Sequence, residues 1–574
     1  MATVLDARPG APEAAQAAAP AIVLPLLPPD TRRLGGEFDV PEAGRRVVRY
    51  QMVEFHVMRL LGGWLAKIPE FDLKFEIGRH VWQDAQHAES LRLRTGELRV
   101  PADTDRRPPV EVQRFLDALD EAETPLEFLV GIYRMAKPRL ISAMQYHVAV
   151  TDAVCDAPTI RVLKPILAEE TEQVRWGEAA IEALIAGDPE RARRAAAWQQ
   201  CLEAILAEAG GLVARGTPQP PEPPATPEEA TKSIARLPHA RAPRSERLLV
   251  AARDARFYID LTPRVLPEDD DPPELLELEA ALAARRHTSD LPAAPDERPS
   301  GGEPTGPRGV PPPVPLAQRD VRFDMVHPAD QARRMPPPGD DPGAWAEKAR
   351  RLMHGMMDNE MHAAELSGRN MYEFPRMPWE FHLDMARVVW DEIRHSEETK
   401  KHLEDLGGRA GMYPIVPGNF GYRIQLDLLH RLQDLHRRGE LGGLNGLLKS
   451  RNTFREMGDE VGAKMFDFIQ ADETRHVAFG NCWVKWLLHN DPHKLRELGD
   501  EVERMRQAHD KKVAALVKQA LGDTGQSGEG KPADGAAKKD DPTPVNVISL
   551  KIAGFTDEEI AELVQKGGGN AALE

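Results

Sequence analysis

The sequence predicts an all-α protein built from two tandem helical bundles joined by a proline-rich linker. Three observations predict it. Of the 50 prolines, 26 fall between Pro218 and Pro342. The segments on either side are rich in helix formers and lack alternating β-branched runs. Three short blocks recur on both sides of the linker in the same order.

Each segment follows from its composition. Residues 1–39 carry a short apolar run broken by proline, "AIVLPLLPP", and read as an extended arm. Residues 40–212 form the first helical domain. Residues 213–342 form the linker, since "TPQPPEPPATP" and "RGVPPPVPLAQ" suit neither a helix interior nor a central strand. Within it, "RSERLLVAARDARFYIDL" and "PELLELEAALAARRH" carry apolar residues that suit packing onto the domains. Residues 343–520 form the second helical domain. A polar glycine- and lysine-rich linker spans 521–544, followed by a short helical docking module over 545–574. Thr556 and Glu559 make a capping box, which starts a helix at about Asp557.

The repeated blocks are specific. Glu54-x-His56 matches Glu360-x-His362. Asp84-x-x-His87, within "VWQDAQHAE", matches Glu392-x-x-His395, within "VWDEIRHSE". Glu170-x-x-Gln173 matches Glu473-x-x-His476. Matched order and near-equal spacing point to an internal duplication.

Composition removes several function classes. The net charge of −18 argues against nucleic acid or an anionic membrane as main partner. Cys155, Cys201 and Cys482 make no spaced framework for disulfides or a thiolate metal site. No secretory signal or membrane-length apolar run is evident, so the chain reads as cytoplasmic.

Glu-x-x-His on a helix sets both side chains on one face, because three residues make nearly one turn. Alone the motif is weak, and its ordinary reading is a surface ion pair. Here each acid sits in an apolar stripe: Met353, Met357, Glu360, Ala364; Met385, Val388, Glu392, His395, Thr399; Ile469, Glu473, His476, Gly480. Carboxylates in a helical core are costly unless paired or metal-bound. The pattern therefore describes a pocket for two divalent cations. Glu440, 33 residues before Glu473, is the best candidate for the fourth helix, with Glu456 and Glu460 as competitors. Glu365 competes with Glu360. Asp391 and Asp472 are candidates to orient the histidines through their outer nitrogens.

The stretches "NEMHAAEL", "WDEIRHSEETKKHLEDLG" and "GDEVGAKMFDFIQADETRHVAFG" resemble the ferritin-like dimetal-carboxylate (di-iron) superfamily. More closely they resemble an uncharacterised bacterial ferritin-like family distantly similar to tRNA-hydroxylating di-iron enzymes. The resemblance implies two ferritin-like four-helix bundles and two iron ions, with manganese as the alternative. The ligands would be Glu360, Glu392, His395, Glu440, Glu473 and His476. The N-terminal copy departs from the pattern. Asp84 and Gln173 replace glutamate and histidine, Lys137 stands where a fourth acid belongs, and a lysine repels cations. Glu54, Asp84, His87 and Glu170 then form a vestigial site that serves packing, with His147 a candidate neighbour.

Two functions follow. One is an oxidoreductase that uses dioxygen to oxidise or hydroxylate an unidentified substrate. The other is a non-enzymatic iron-handling or scaffold role, assembling with protein partners through the linker and C-terminal module. A dimetal hydrolase or an empty site completes the alternatives. No catalytic residue is assigned, and a homo-oligomer is compatible with the sequence. Trp82, Trp390, Tyr372, Cys482 and the methionines of "LMHGMMDNEM" read as packing residues.

Overall fold

The computed structural model describes residues 32, 34–100, 108–213, 288, 291, 293–294, 316–335, 338, 344–416, 418–521, 545–566 and 571–572. The arm over 1–39 and the linkers over 213–342 and 521–544, with the two apolar linker segments, lie largely or wholly outside the described residues.

Asp39 starts the first helix by accepting from the Glu42 backbone N–H, with Pro41 in the first turn. The N-terminal half then runs α1 (Val40–Trp64), α2 (Phe71–Glu97), α3 (Val110–Asp120), α4 (Pro125–Leu129), α5 (Lys137–Val150), α6 (Ala157–Ile185) and α7 (Pro189–Glu208). A π-helical stretch, Val130–Ala136, joins α4 directly to α5. After α8 (Pro328–Arg334) the C-terminal half runs α9 (Trp345–Glu373), α10 (Trp379–Asp405), α11 (Gly418–Arg423), α12 (Leu428–Leu432), α13 (Glu440–Glu456), α14 (Glu460–Leu487) and α15 (Pro492–Leu521). A second π-helical stretch, Gln433–Gly439, joins α12 to α13. The chain ends with α16 (Val547–Ile552) and α17 (Asp557–Lys566). Among the described residues, extended structure is confined to one two-residue parallel pairing and one isolated bridge. The protein is all-α, as its sequence predicts.

The two halves share one apolar core. Val53, Val57 and Leu61 of α1 and Ile77 and Val81 of α2 are buried in the same cluster as Met357, Met361, Met385 and Val389 of α9 and α10. The helix backbones meet closely where side chains are absent. A Cβ on Gly368 would lie 2.3 Å from the Gly62 carbonyl oxygen. These glycines stand eight residues after Glu360 and Glu54, so matched positions of the two halves touch each other. Arg59 donates to the backbone carbonyls of Met371 and Tyr372 at 3.1 and 2.8 Å, and Arg369 to that of Gly63 at 3.3 Å.

The described end of the proline-rich linker takes part in this packing. Gln318 N–H donates to the Ala66 carbonyl at 2.8 Å, and Asp320 accepts from Phe71 N–H at 3.0 Å. Arg319 enters the interior and binds Asp358 at 2.8 Å and Glu365 at 2.6 Å.

The C-terminal helices dock on their own chain. Leu550, Ala553, Phe555 and Ile560 are buried with Leu444 of α13 and Val477 of α14. The capping box forms as the sequence predicts: Thr556 N–H donates to Glu559 at 2.8 Å, and Glu559 N–H to Thr556 Oγ1 at 3.2 Å. Glu559 also pairs with Arg437 and Lys485.

Candidate metal centre

The apolar stripes of α9, α10 and α14 are buried, so their acids are buried with them. Glu360, Glu392, His395 and Glu473 place one donor atom each within 4.8 Å of one another. Glu392, Glu440, Glu473 and His476 form a second such group. The groups overlap in Glu392 and Glu473 and together contain all six residues singled out in the sequence. α9 and α13 supply one acid each, while α10 and α14 each supply an acid and a histidine.

The overlap has a defined geometry. Glu392 turns Oε2 toward His395 Nδ1 at 3.3 Å and Oε1 toward His476 Nδ1 at 3.4 Å. Glu473 turns Oε1 toward His395 Nδ1 at 3.6 Å and Oε2 toward His476 Nδ1 at 3.5 Å. Each carboxylate thus presents one oxygen to each half of the cluster. Glu392 Oε1, Glu473 Oε2 and His476 Nδ1 are buried without hydrogen-bond partners. Among the described residues no lysine or arginine pairs with any of the four glutamates. Buried like charges left in that state are expensive, whereas bound cations neutralise them.

The outer nitrogens of the histidines face other acids. His395 Nε2 lies 3.4 Å from Asp472 Oδ2, and His476 Nε2 lies 3.3 Å from Asp391 Oδ2. A carboxylate accepts, so each Nε2 carries the proton and each Nδ1 faces the glutamates. Arg387 and Arg394 tie the two aspartates together, donating to Asp391 at 2.7 Å and to Asp472 at 2.7 Å respectively. His436, on the π-helical stretch, holds both oxygens of Glu440 at 2.8 and 3.0 Å.

The electrostatics follow. Burial, with repulsion from Glu392 and Glu473, raises Glu360 well above the carboxylate range. Burial, with the Glu392 charge, pushes Glu473 up to about 7. Burial opposes the charge on Glu392 as well, but the His395 and His476 imidazoles beside it outweigh burial and hold that group at about 2. Burial alone would lower His395 and His476; their acidic neighbours raise both well above the usual imidazole value. The metal-free cluster therefore holds protons where cations would sit, and a metal ion must displace them.

The competitors fall elsewhere. Glu365 is fully buried in an ion pair with Lys74 and Arg319. Glu456 and Glu460 are exposed. In the N-terminal half Glu54, Asp84, His87 and Glu170 converge within the same 4.8 Å limit. Lys137 donates to Asp84 at 2.9 Å and to Glu170 at 2.6 Å, so it is an ion-pair partner inside the cluster. His147 lies apart, against Asp156 at 3.4 Å and Tyr50 at 3.3 Å. Trp82 and Trp390 pack on the core, Cys482 is buried, and the Tyr372 hydroxyl donates to Asp120 at 3.1 Å. Sequence reasoning missed the role of Lys137 as an internal counter-ion, although its position opposite Glu440 was the signal. It also missed His436, whose four-residue spacing before Glu440 on a helical pattern could have shown it.

No helix among the described residues is long and apolar enough to cross a membrane. No curated protein and no solved structure matches the chain. Residues 269–523, which take in all six residues of the C-terminal cluster and none of the N-terminal one, match a family described as a protein of unknown function (DUF455).

Proposed function

We propose that the C-terminal half binds two divalent metal ions, iron or alternatively manganese, and uses them to oxidise an organic substrate with dioxygen. One observation carries the reading: Glu392 and Glu473 each offer one oxygen to each histidine, the arrangement two bridging carboxylates need. Glu360 and His395 would complete one ion's ligands, and Glu440 and His476 the other's. The donor set of four carboxylates and two imidazoles suits iron or manganese. When bound, a pair of reduced ions supplies the electrons for dioxygen reduction.

The protein's own contribution is positional. Asp391 and Asp472 fix the ring orientation of His476 and His395 and keep the inner nitrogens free to bind. His436 holds Glu440 at the start of α13. The surrounding methionines and aliphatic side chains exclude water and strengthen each electrostatic contact. We infer that the halves descend from one duplicated bundle, a reading supported by the matched motifs, the matched π-helical stretches and the glycine contact between equivalent positions.

Anaerobic titration with Fe(II), followed by air, tests the function. The expected result is two more ions in the wild-type chain than in the Glu392→Ala/Glu473→Ala chain, and a ferric absorption that only the former develops. Equal stoichiometry in both chains would overturn the site. Ferric iron accumulating far beyond the binding stoichiometry would replace substrate oxidation with iron handling.

A further inference from the structure

The N-terminal cluster has donors that Lys137 does not satisfy. The lysine engages both oxygens of Asp84 and Glu170 Oε1. Gln173 adds a hydrogen bond to Asp84 Oδ1 at 3.0 Å. Both oxygens of Glu54, Glu170 Oε2 and His87 Nδ1 are buried and have no hydrogen-bond partner. Glu54 and Glu170 are 0 % exposed and His87 3 %. His87 Nδ1 faces Glu54 Oε1 at 3.5 Å and Glu170 Oε1 at 3.6 Å. The outer nitrogen of His87 lies 2.8 Å from Glu169 Oε2, which turns Nδ1 inward. Glu169 precedes Glu170 as Asp472 precedes Glu473, so the same brace holds both rings.

The unsatisfied donors lie on Glu54, His87 and Glu170, and with Asp84, which Lys137 and Gln173 already engage, these residues correspond to one half of the C-terminal cluster. Glu54, Asp84, His87 and Glu170 stand where Glu360, Glu392, His395 and Glu473 stand. The other half is converted: Lys137 stands for Glu440, and Gln173, a poor ligand, for His476. Charge follows the same pattern. In the C-terminal half four carboxylates would balance two divalent ions. In the N-terminal half three carboxylates would balance one divalent ion and one ammonium.

We propose that the N-terminal half is a mononuclear site for one divalent transition-metal ion, held by Glu54, Asp84, His87 and Glu170, with the Lys137 ammonium in place of a second ion. One imidazole and several carboxylates suit a first-row ion. The ion would tie α1, α2 and α6 together beside the face that α1 and α2 present to the C-terminal half. The rival arrangement is an imidazolium at His87 that serves as the second cation and binds no metal.

Co(II) titration of the metal-free full-length chain under argon, read by visible absorbance and by metal analysis after desalting, separates them. The expected stoichiometry is three ions in the wild type, two in His87→Asn, and one in Glu392→Ala/Glu473→Ala. Adding Glu54→Gln and His87→Asn to the last chain should leave none. Adding Lys137→Glu and Gln173→His instead should raise it to two. The proposal is overturned if the folded Glu392→Ala/Glu473→Ala chain binds no cobalt, or binds one ion that survives Glu54→Gln/His87→Asn. Should that background not fold, equal stoichiometry in wild type and His87→Asn overturns it equally. A C-terminal half that binds nothing would show as one ion in the wild type, lost in His87→Asn, and so leaves this site separately readable.

Discussion

Glu473 shows how a single residue of the proposed centre would couple metal, protons and stability. Its carboxyl in the metal-free chain is pushed up to about 7, and both histidines are raised well above their usual value. A group whose folded pKa is raised favours folding below its unfolded pKa, and the contribution is lost as pH rises through the folded value. For Glu473 that window runs from about 4.5 to about 7. Metal binding has the opposite slope, because the ion replaces the same protons. The difference in Tm between metal-loaded and metal-free chains should therefore widen from pH 5 to pH 8, as thermal melts at fixed ionic strength will show. Glu392, held at about 2, stays ionised across that range and does not contribute to the slope. Glu365 is a contrasting residue, close in sequence but turned to Lys74 and Arg319. Glu365→Ala should leave metal stoichiometry unchanged while costing about 3–5 kcal/mol in a denaturant melt, since it strands buried cations.

At the scale of elements, the π-helical stretches set the site. Val130–Ala136 ends directly before Lys137, and Gln433–Gly439 directly before Glu440. A wider turn shifts the register of the residues that follow and often marks a functional position. A glycine on the facing helix makes room for each stretch. A Cβ on Gly177 would meet Tyr133 at 2.1 Å, and one on Gly480 would meet His436 at 2.5 Å. Gly480→Ala should push His436 off α14 and carry Glu440 with it. The expected outcome is about 1–3 kcal/mol of lost stability. Metal titration should show weaker uptake of the ion proposed for Glu440 and His476, with helix content unchanged by circular dichroism.

At the scale of the whole molecule, remote segments complete the fold around the centre. Arg319, from the end of the proline-rich segment, neutralises Glu365 in the core. The C-terminal helices cover the outer face of α13 and α14, where Ser549 lies 3.3 Å from Thr474, the neighbour of Glu473. A chain ending at Asp540 would expose Leu444 and Val477 to water. It should melt at a lower temperature and bind more of a hydrophobic dye. Phe555→Ala in the full chain should cost about 3 kcal/mol through the cavity it leaves. Unchanged melting in both variants would show that the module does not stabilise the bundle.

The sequence by itself determined the all-α class, the six residues that converge in the C-terminal half, and the capping box at Thr556. These are local or periodic signals. A motif three residues long fixes which side chains share a helix face, and an acid in an apolar stripe can only point inward. Tertiary structure decided what each inward acid meets. Glu360 and Glu365 are both buried on α9, yet one reaches the carboxylate cluster and the other a lysine and an arginine from distant segments. Lys137 reads in the sequence as a charge that repels cations from the N-terminal cluster; the tertiary structure adds that its ammonium binds Asp84 and Glu170 and leaves Glu54 and His87 Nδ1 without hydrogen-bond partners. Sequence spacing carries helical phase but not the crossing of helices, and the crossing sets which charges lie within a few ångströms of one another.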